Sequence, residues 1–217
     1  MKKAILWDLD GTLLYTLSDI ANASNATLRH FGYPERTLEE YCGFVGNGAR
    51  NQLRCAIGRE PENLDEILAW YKDYYARHCN ETSHPYQGVC EVARQLRETG
   101  WLLAIVTNKP QGATTPLYHA FFPDFSMALG ESPEVPRKPA PDMVELVLQK
   151  LGVEKENAVY IGDSEVDILT ARNAGLSCIS VLWGYRKEEE LLEAGALHLC
   201  RTPGEIPQML EELFRGK

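Results

Sequence analysis

Residues 4–12 read AILWDLDGT: an apolar run, Ala4-Ile5-Leu6-Trp7, stops at Asp8, and Leu9, Asp10, Gly11 and Thr12 follow. Carboxylates are costly at the end of a buried strand. Two of them, two residues apart and followed by a strand-breaking glycine, call for a reason. Residues two apart on a strand point to the same side, so Asp8 and Asp10 can face one cavity. Taken alone, the stretch also allows a plainer reading, as turn residues that cap a helix.

Similar short runs rich in Ile, Val and Leu recur at residues 102–106, 127–129, 158–161, 178–181 and 197–200. They lack clean alternation, as expected for strands buried on both faces. Helix patterns lie between them, at 89–99, 141–151 and 167–174, the last two running into Gly152 and Gly175. This rhythm predicts an α/β fold: a Rossmann-like parallel sheet with helices on both faces. One segment breaks it. Between residues 17 and 82 only helix patterns occur, at 20–31, 38–42, 48–57 and 64–79. They predict a small all-helical domain inserted after the first strand. We expect residues 1–15 and 83–217 to form the core and residues 16–82 the insert.

The chain has 217 residues, with Lys plus Arg at 22 and Asp plus Glu at 31, a formal charge of -9. That balance argues against nucleic-acid and anionic-membrane partners. No apolar run is long enough to span a bilayer. Asp8 and Asp10 interrupt the first apolar stretch too early for a signal peptide. The six cysteines form no CxxC pair, which fits reduced thiols and a cytoplasmic protein, monomeric or homodimeric.

Four stretches fall at the expected C-terminal ends of strands, where open parallel sheets bind ligands. They are Asp8 to Thr12, Thr107-Asn108, Lys138-Pro139, and Gly162-Asp163-Ser164-Glu165-Val166-Asp167. GDSEVD alone also reads as a strand end and an N-capped helix. Together they make a coherent set. Asp163 and Asp167 can join Asp8 and Asp10, and carboxylates gathered in one place raise each other's pKa. A hard divalent cation relieves this, and Mg2+ takes one or two carboxylates plus phosphate oxygens and water. Thr107, Lys138 and backbone N–H groups around Gly11 and Thr12 would then hold phosphate. Acids, lysine and hydroxyl together suit phosphoryl transfer.

The ordered set DLDGT, TN, RKP and GDSEVD resembles the haloacid dehalogenase (HAD) superfamily of phosphatases, and the helical insert resembles that superfamily's cap. YCGFVGNGAR and PYQGVCEVARQLRETGWLLAIVTNKP are most similar to the phosphoglycolate phosphatase branch. The resemblance implies a Mg2+-dependent phosphatase acting on a small phosphorylated metabolite, 2-phosphoglycolate first. Asp8 would be the nucleophile and Asp10 the general acid/base, its backbone carbonyl also meeting the metal. Thr107 and the Asn108 N–H would hold phosphate, Lys138 would bind phosphate and Asp8, and Asp8, Asp163 and Asp167 would hold the ion. In the insert, Gly46-Asn47-Gly48 is a candidate substrate loop, with Asn47 and Arg50 as candidate contacts. Lys109 and Arg50 can equally be read as ordinary surface residues.

Other activities share such a site: sugar-phosphate or nucleotide phosphatase, pyrophosphatase, and phosphosugar mutase. A non-catalytic phosphate or Mg2+ sensor is the alternative of a different class. Dehalogenation would not need Asp10. Phosphonatase chemistry wants a cap lysine, and residues 17–82 hold only Lys72. The five histidines are scattered, none at metal-ligand spacing. Tyr15 departs from the family pattern, which places Asp or Asn there, just before a small hydroxyl residue such as Thr16.

Overall fold

The computed structural model describes residues 2–215. β1 (Lys3–Trp7) ends at Asp8, and β2 (Leu14–Tyr15) leads into four helices: α1 (Leu17–His30), α2 (Leu38–Phe44), α3 (Gly48–Ile57) and α4 (Leu64–His78). The chain returns through β3 (His84–Pro85) to α5 (Val89–Glu98), β4 (Trp101–Pro110), α6 (Gln111–Phe121), β5 (Met127–Glu131) and α7 (Asp142–Leu151). It finishes with β6 (Ala158–Gly162), α8 (Glu165–Ala174), β7 (Ser177–Val181), α9 (Glu188–Glu193), β8 (His198–Cys200) and α10 (Ile206–Leu213).

Six strands form one sheet in the order β5-β4-β1-β6-β7-β8, every neighbouring pair parallel. The fold is therefore an α/β sheet with a helical cap inserted after the first strand. β1 lies at the topological switch point: the chain builds outward to β4 and β5, then crosses back to β6 on the other side. A crevice opens at the C-terminal ends of the strands there.

β1 shows why the strands do not alternate. Ile5 and Trp7 join one apolar cluster, with Ile105, Ile161 and residues of α5 and α10. Ala4 and Leu6 join a second, with Val106, Tyr160 and residues of α7 and α8. Successive side chains enter opposite layers, and both layers are apolar. α7 and α8 stop where expected, at Gly152 and Gly175, both with left-handed backbone.

Three helices fall outside the sequence expectation. α6 contains Gly112 and Pro116, both poor helix formers. Burial of Ala113, Thr114 and Leu117 holds it, and the Thr114 hydroxyl donates to the carbonyls of Lys109 (3.2 Å) and Pro110 (3.1 Å). α9 is a short acidic turn that buries only Leu191. α10 follows the Pro203 turn and buries Ile206 and Leu210. α1 starts three residues earlier than its apolar pattern. β8 starts at His198, because Leu197 is 86% exposed. No helix among the described residues is long and apolar enough to cross a membrane.

Candidate active site

Gly11 has φ +84°, and a Cβ there would stand 2.3 Å from Asp163 Oδ2. Only glycine allows this turn to lie against that carboxylate. The turn uses its own N–H groups: Gly11 donates to Leu14 O (2.9 Å) and Thr12 to Leu9 O (3.3 Å). The N–H groups expected for phosphate at Gly11 and Thr12 are thus already engaged. Those of Leu9 and Asp10 have no protein partner among the described residues. Thr12 is fully buried, its hydroxyl donating to Asp163 Oδ1 at 3.4 Å. It supports a carboxylate and does not line the cleft.

Asp8 and Asp10 both line one cleft, with different partners. Asp8 Oδ1 accepts from Lys138 Nζ at 2.8 Å. Asp10 Oδ1 accepts from Thr16 Oγ1 at 2.7 Å and from Lys109 Nζ at 2.8 Å. Beyond Asp8, β6 ends at Gly162, and Asp163 and Asp167 follow. A Cβ on Gly162 would come 2.2 Å from Asp167 Cγ, and one on Gly184 would come 2.3 Å from Asp163 Cβ. Both glycines leave room for buried acids. Asp167 also accepts from the Ser164 N–H (3.1 Å) and hydroxyl (2.6 Å). GDSEVD caps α8 through Ser164 and Asp167, and the same segment sets Asp163 and Asp167 beside Asp8.

The carboxylates of Asp8, Asp163 and Asp167 offer ligand atoms within 4.8 Å of one another, and all three residues are buried. Asp10's carboxylate stands outside this group. Lys138 Nζ lies 2.7 Å from Asp167 Oδ1 and 3.0 Å from Tyr160 Oη, besides Asp8. Three carboxylates and one ammonium leave two negative charges, and the all-oxygen donor set fits a hard divalent cation. The electrostatics agree. Burial pushes Asp8 up to about 7 against the partial relief of Lys138, with Asp167 and Asp10 adding to the rise. Burial, Asp167 and Asp8 likewise hold Asp163 well above the carboxylate range. Burial works against the Lys138 charge, and Asp167 and Asp8 more than restore it.

β4 carries Thr107 and Asn108 to the same cleft, both buried. The Asn108 amide donates to Gly46 O (3.1 Å) and Lys138 O (3.0 Å), bridging cap loop and lysine loop. The cap closes the cleft with Gly46, Gly48, Gln52, Tyr71 and Tyr75, among others. Two cap candidates point elsewhere. Asn47 Nδ2 lies 3.4 Å from Glu165 Oε1. Arg50 pairs on the surface with Asp65, in the first turn of α4. Arg50 stands in the first turn of α3, where Asp65 supplies its countercharge; neither it nor Asn47 lines the cleft. Lys72 pairs with Glu131 at 3.8 Å, also away from the cleft.

Sequence reasoning missed the loop after β7, residues 183–186. Trp183 Nε1 donates to Thr12 O (2.9 Å), and the Tyr185 N–H to Asp163 Oδ2 (2.7 Å). The Tyr185 hydroxyl accepts from the Thr16 N–H at 2.9 Å. Arg186 pairs with Glu165 (2.9 Å) and donates to Cys42 O (2.6 Å) and Val45 O (2.8 Å), joining core to cap. Its position at the C-terminal end of a strand was the available signal.

This architecture and acidic cleft agree with what comparison finds. The haloacid dehalogenase-like hydrolase family matches residues 5–181, and the chain belongs to it. It is an enzyme, a hydrolase of the phosphatase branch that includes phosphoglycolate phosphatases. The phosphoglycolate phosphatase of Rhodobacter capsulatus is 38% identical over 196 residues, 86% of this chain and 87% of that protein. That of Mannheimia succiniciproducens is 34% identical over 194 residues, 84% and 87%. A solved structure from Lactobacillus delbrueckii subsp. bulgaricus, provisionally assigned as a phosphoglycolate phosphatase, has a TM-score of 0.87 at 35% identity, with 100% of both chains covered.

Proposed function

We propose that the protein is a Mg2+-dependent phosphomonoesterase that hydrolyses 2-phosphoglycolate through an aspartyl-phosphate. The observation that carries this reading is the division of partners between two neighbouring carboxylates. Asp8 faces Lys138, Asp163 and Asp167, and Asp10 faces Thr16 and Lys109. Groups two residues apart thus occupy different environments, as a nucleophile and an acid/base require.

In the first step Asp8 Oδ attacks phosphorus and the phosphorus–ester oxygen bond breaks. Asp10 gives its proton to the departing alkoxide, which leaves as the alcohol. In the second step Asp10, now a carboxylate, takes a proton from water, whose oxygen attacks phosphorus. The phosphorus–Asp8 bond breaks, inorganic phosphate leaves and Asp8 is restored. Thr107 and the Leu9 and Asp10 N–H groups bind phosphate oxygens, and Lys138 holds Asp8 in place. Asp8, Asp163, Asp167 and the Asp10 carbonyl would hold Mg2+, which supplies neutralisation of phosphate charge. Residues 16–82 act as the cap domain over a core of residues 1–15 and 83–217, shielding the reaction from water. The protein would act in the cytoplasm as monomer or homodimer, without nucleic-acid or membrane partners.

Phosphate release from a panel of metabolites, with Mg2+ and with EDTA, tests this reading beside Asp8→Asn. Turnover should require Mg2+ and fall by about 10³-fold or more in the variant. Activity that survives Asp8→Asn or chelation would overturn the mechanism. A wild-type preference for another ester would overturn the substrate alone.

A further inference from the structure

Lys109 is an unusual lysine. It stands on β4 beside Thr107 and Asn108, lines the cleft, and its side chain is only 1% exposed. Burying an ammonium is expensive unless it is paired. Its Nζ donates to Asp10 Oδ1 at 2.8 Å and to the hydroxyl of Tyr75 on α4, and it lies 4.6 Å from the centre of the Tyr75 ring. An ammonium has three N–H donors, and two are used. The third has no protein acceptor among the described residues. Tyr75 is buried and lines the same cleft. Its oxygen accepts from Lys109, and its own O–H proton has no acceptor among the described residues. One N–H and one O–H are therefore unspent at one place, where core meets cap.

We infer that Lys109 and Tyr75 form a receptor for a carboxylate carried next to the ester oxygen of the substrate. The inference rests on the phosphatase reading above and names the feature that selects within it. The geometry follows from Asp10. As the acid, Asp10 must touch the leaving ester oxygen, and of its two partners, Thr16 and Lys109, only Lys109 carries a charge. In 2-phosphoglycolate the carboxylate carbon is two bonds from that oxygen. A carboxylate so close to a group held by Asp10 falls beside the ammonium bonded to Asp10. The remaining charges around the cleft are unfavourable or engaged. Asp8 and Asp163 are acidic, and Arg186 is held by Glu165, Cys42 and Val45. Lys109 is itself paired with Asp10, but among the described residues it keeps one N–H donor free, and that donor is what an acidic tail can use. A neutral tail would leave its third donor unsatisfied, which sets a penalty against such substrates.

The test compares 2-phosphoglycolate with ethyl phosphate, in which a methyl group replaces the carboxylate. The wild type, Lys109→Met and Tyr75→Phe are assayed for kcat/KM on both. The receptor predicts that the preference for 2-phosphoglycolate falls at least about tenfold in Lys109→Met, mostly through KM, and more modestly in Tyr75→Phe. An equal loss on both esters would overturn it and leave Lys109 as a positioning residue for Asp10. Should Lys109→Met not fold, Tyr75→Phe decides, since it keeps the ring and removes only the O–H. If the wild type ignores 2-phosphoglycolate yet hydrolyses other esters, the substrate assignment fails by itself. The receptor then stands only if other α-carboxylated phosphomonoesters outrun their methyl counterparts and lose that lead in Lys109→Met.

Discussion

Burial and the neighbouring acids push Asp8 one way, and Lys138 pulls it the other. Burial is the larger influence and carries it to about 7, with Lys138 pulling the other way. Between an ordinary carboxylate pKa of about 4 and that value, the folded chain keeps a proton that the unfolded chain has released. Asp8 therefore favours the folded state at low pH, and the benefit is lost as pH rises through about 7. Asp163 is shifted in the same direction. A cation that binds the ionised triad acts in the opposite sense. With chelator present, these two acids predict a thermal midpoint that falls from about pH 5 to about pH 8. Added Mg2+ should raise the midpoint more at the higher pH, by roughly 2–3 kcal/mol of stability at a hundredfold excess over its dissociation constant. A Mg2+ shift that does not vary with pH would count against the triad as its site. That Asp8, Lys138, Asp163 and Asp167 would come together was legible because they carry chemistry at strand ends. The partners of Thr12 and Arg50 were not legible, because sequence spacing does not say which neighbour a side chain meets. Thr12 meets Asp163, and Arg50 meets Asp65.

Among the elements, the two linkers between sheet and cap are tied together. β2 and β3 pair antiparallel, Leu14 with Pro85 and Tyr15 with His84. Tyr15 packs 5.3 Å from the His84 ring and about edge-on to Tyr86 and Tyr185, at 6.3 and 6.4 Å. Its hydroxyl lies 3.1 Å from Ser18 Oγ. Tyr15 thus forms an aromatic brace where the chain passes from sheet to cap. The polar fastening comes from Asp19 on α1, which accepts from the N–H groups of Glu81, Thr82 and Ser83 and from the hydroxyls of Thr82 and Ser83. Burial works against its charge, but these donors outweigh it and hold its pKa below the usual value. Asp19→Ala leaves those donors unpaired. We expect it to cost about 2–4 kcal/mol and to raise hydrogen exchange at residues 81–83. A variant within about 0.5 kcal/mol of wild type would show that the linker does not depend on Asp19. None of this was legible beforehand, because a two-residue strand has no periodicity and Asp19 reads as an ordinary helix-start acid. The helix α6 was hidden for a related reason: Gly112 and Pro116 argue against it locally, and burial against the sheet decides.

At the scale of the molecule, a chain of net charge -9 would receive an anionic substrate against its overall field. The capture must be local, and the groups available for it are the Mg2+ expected at the triad, Lys138 and Lys109. The parallel sheet and the helical insertion after the first strand could be read from the sequence, because buried parallel strands leave strong local patterns; the order of the strands could not. The loop at residues 183–186 could not. Its aromatic and arginine side chains acquire meaning only when β7 brings them beside Asp163, Thr16 and the cap. The central claim is that phosphate passes through Asp8, and reductive trapping tests it most directly. Enzyme mixed with 2-phosphoglycolate and Mg2+ is quenched during turnover, treated with borohydride and mapped by peptide mass. An acyl phosphate at Asp8 should appear as homoserine at position 8, absent without substrate and absent in Asp8→Asn. Phosphate release with unmodified Asp8, or homoserine at another carboxylate, would contradict it.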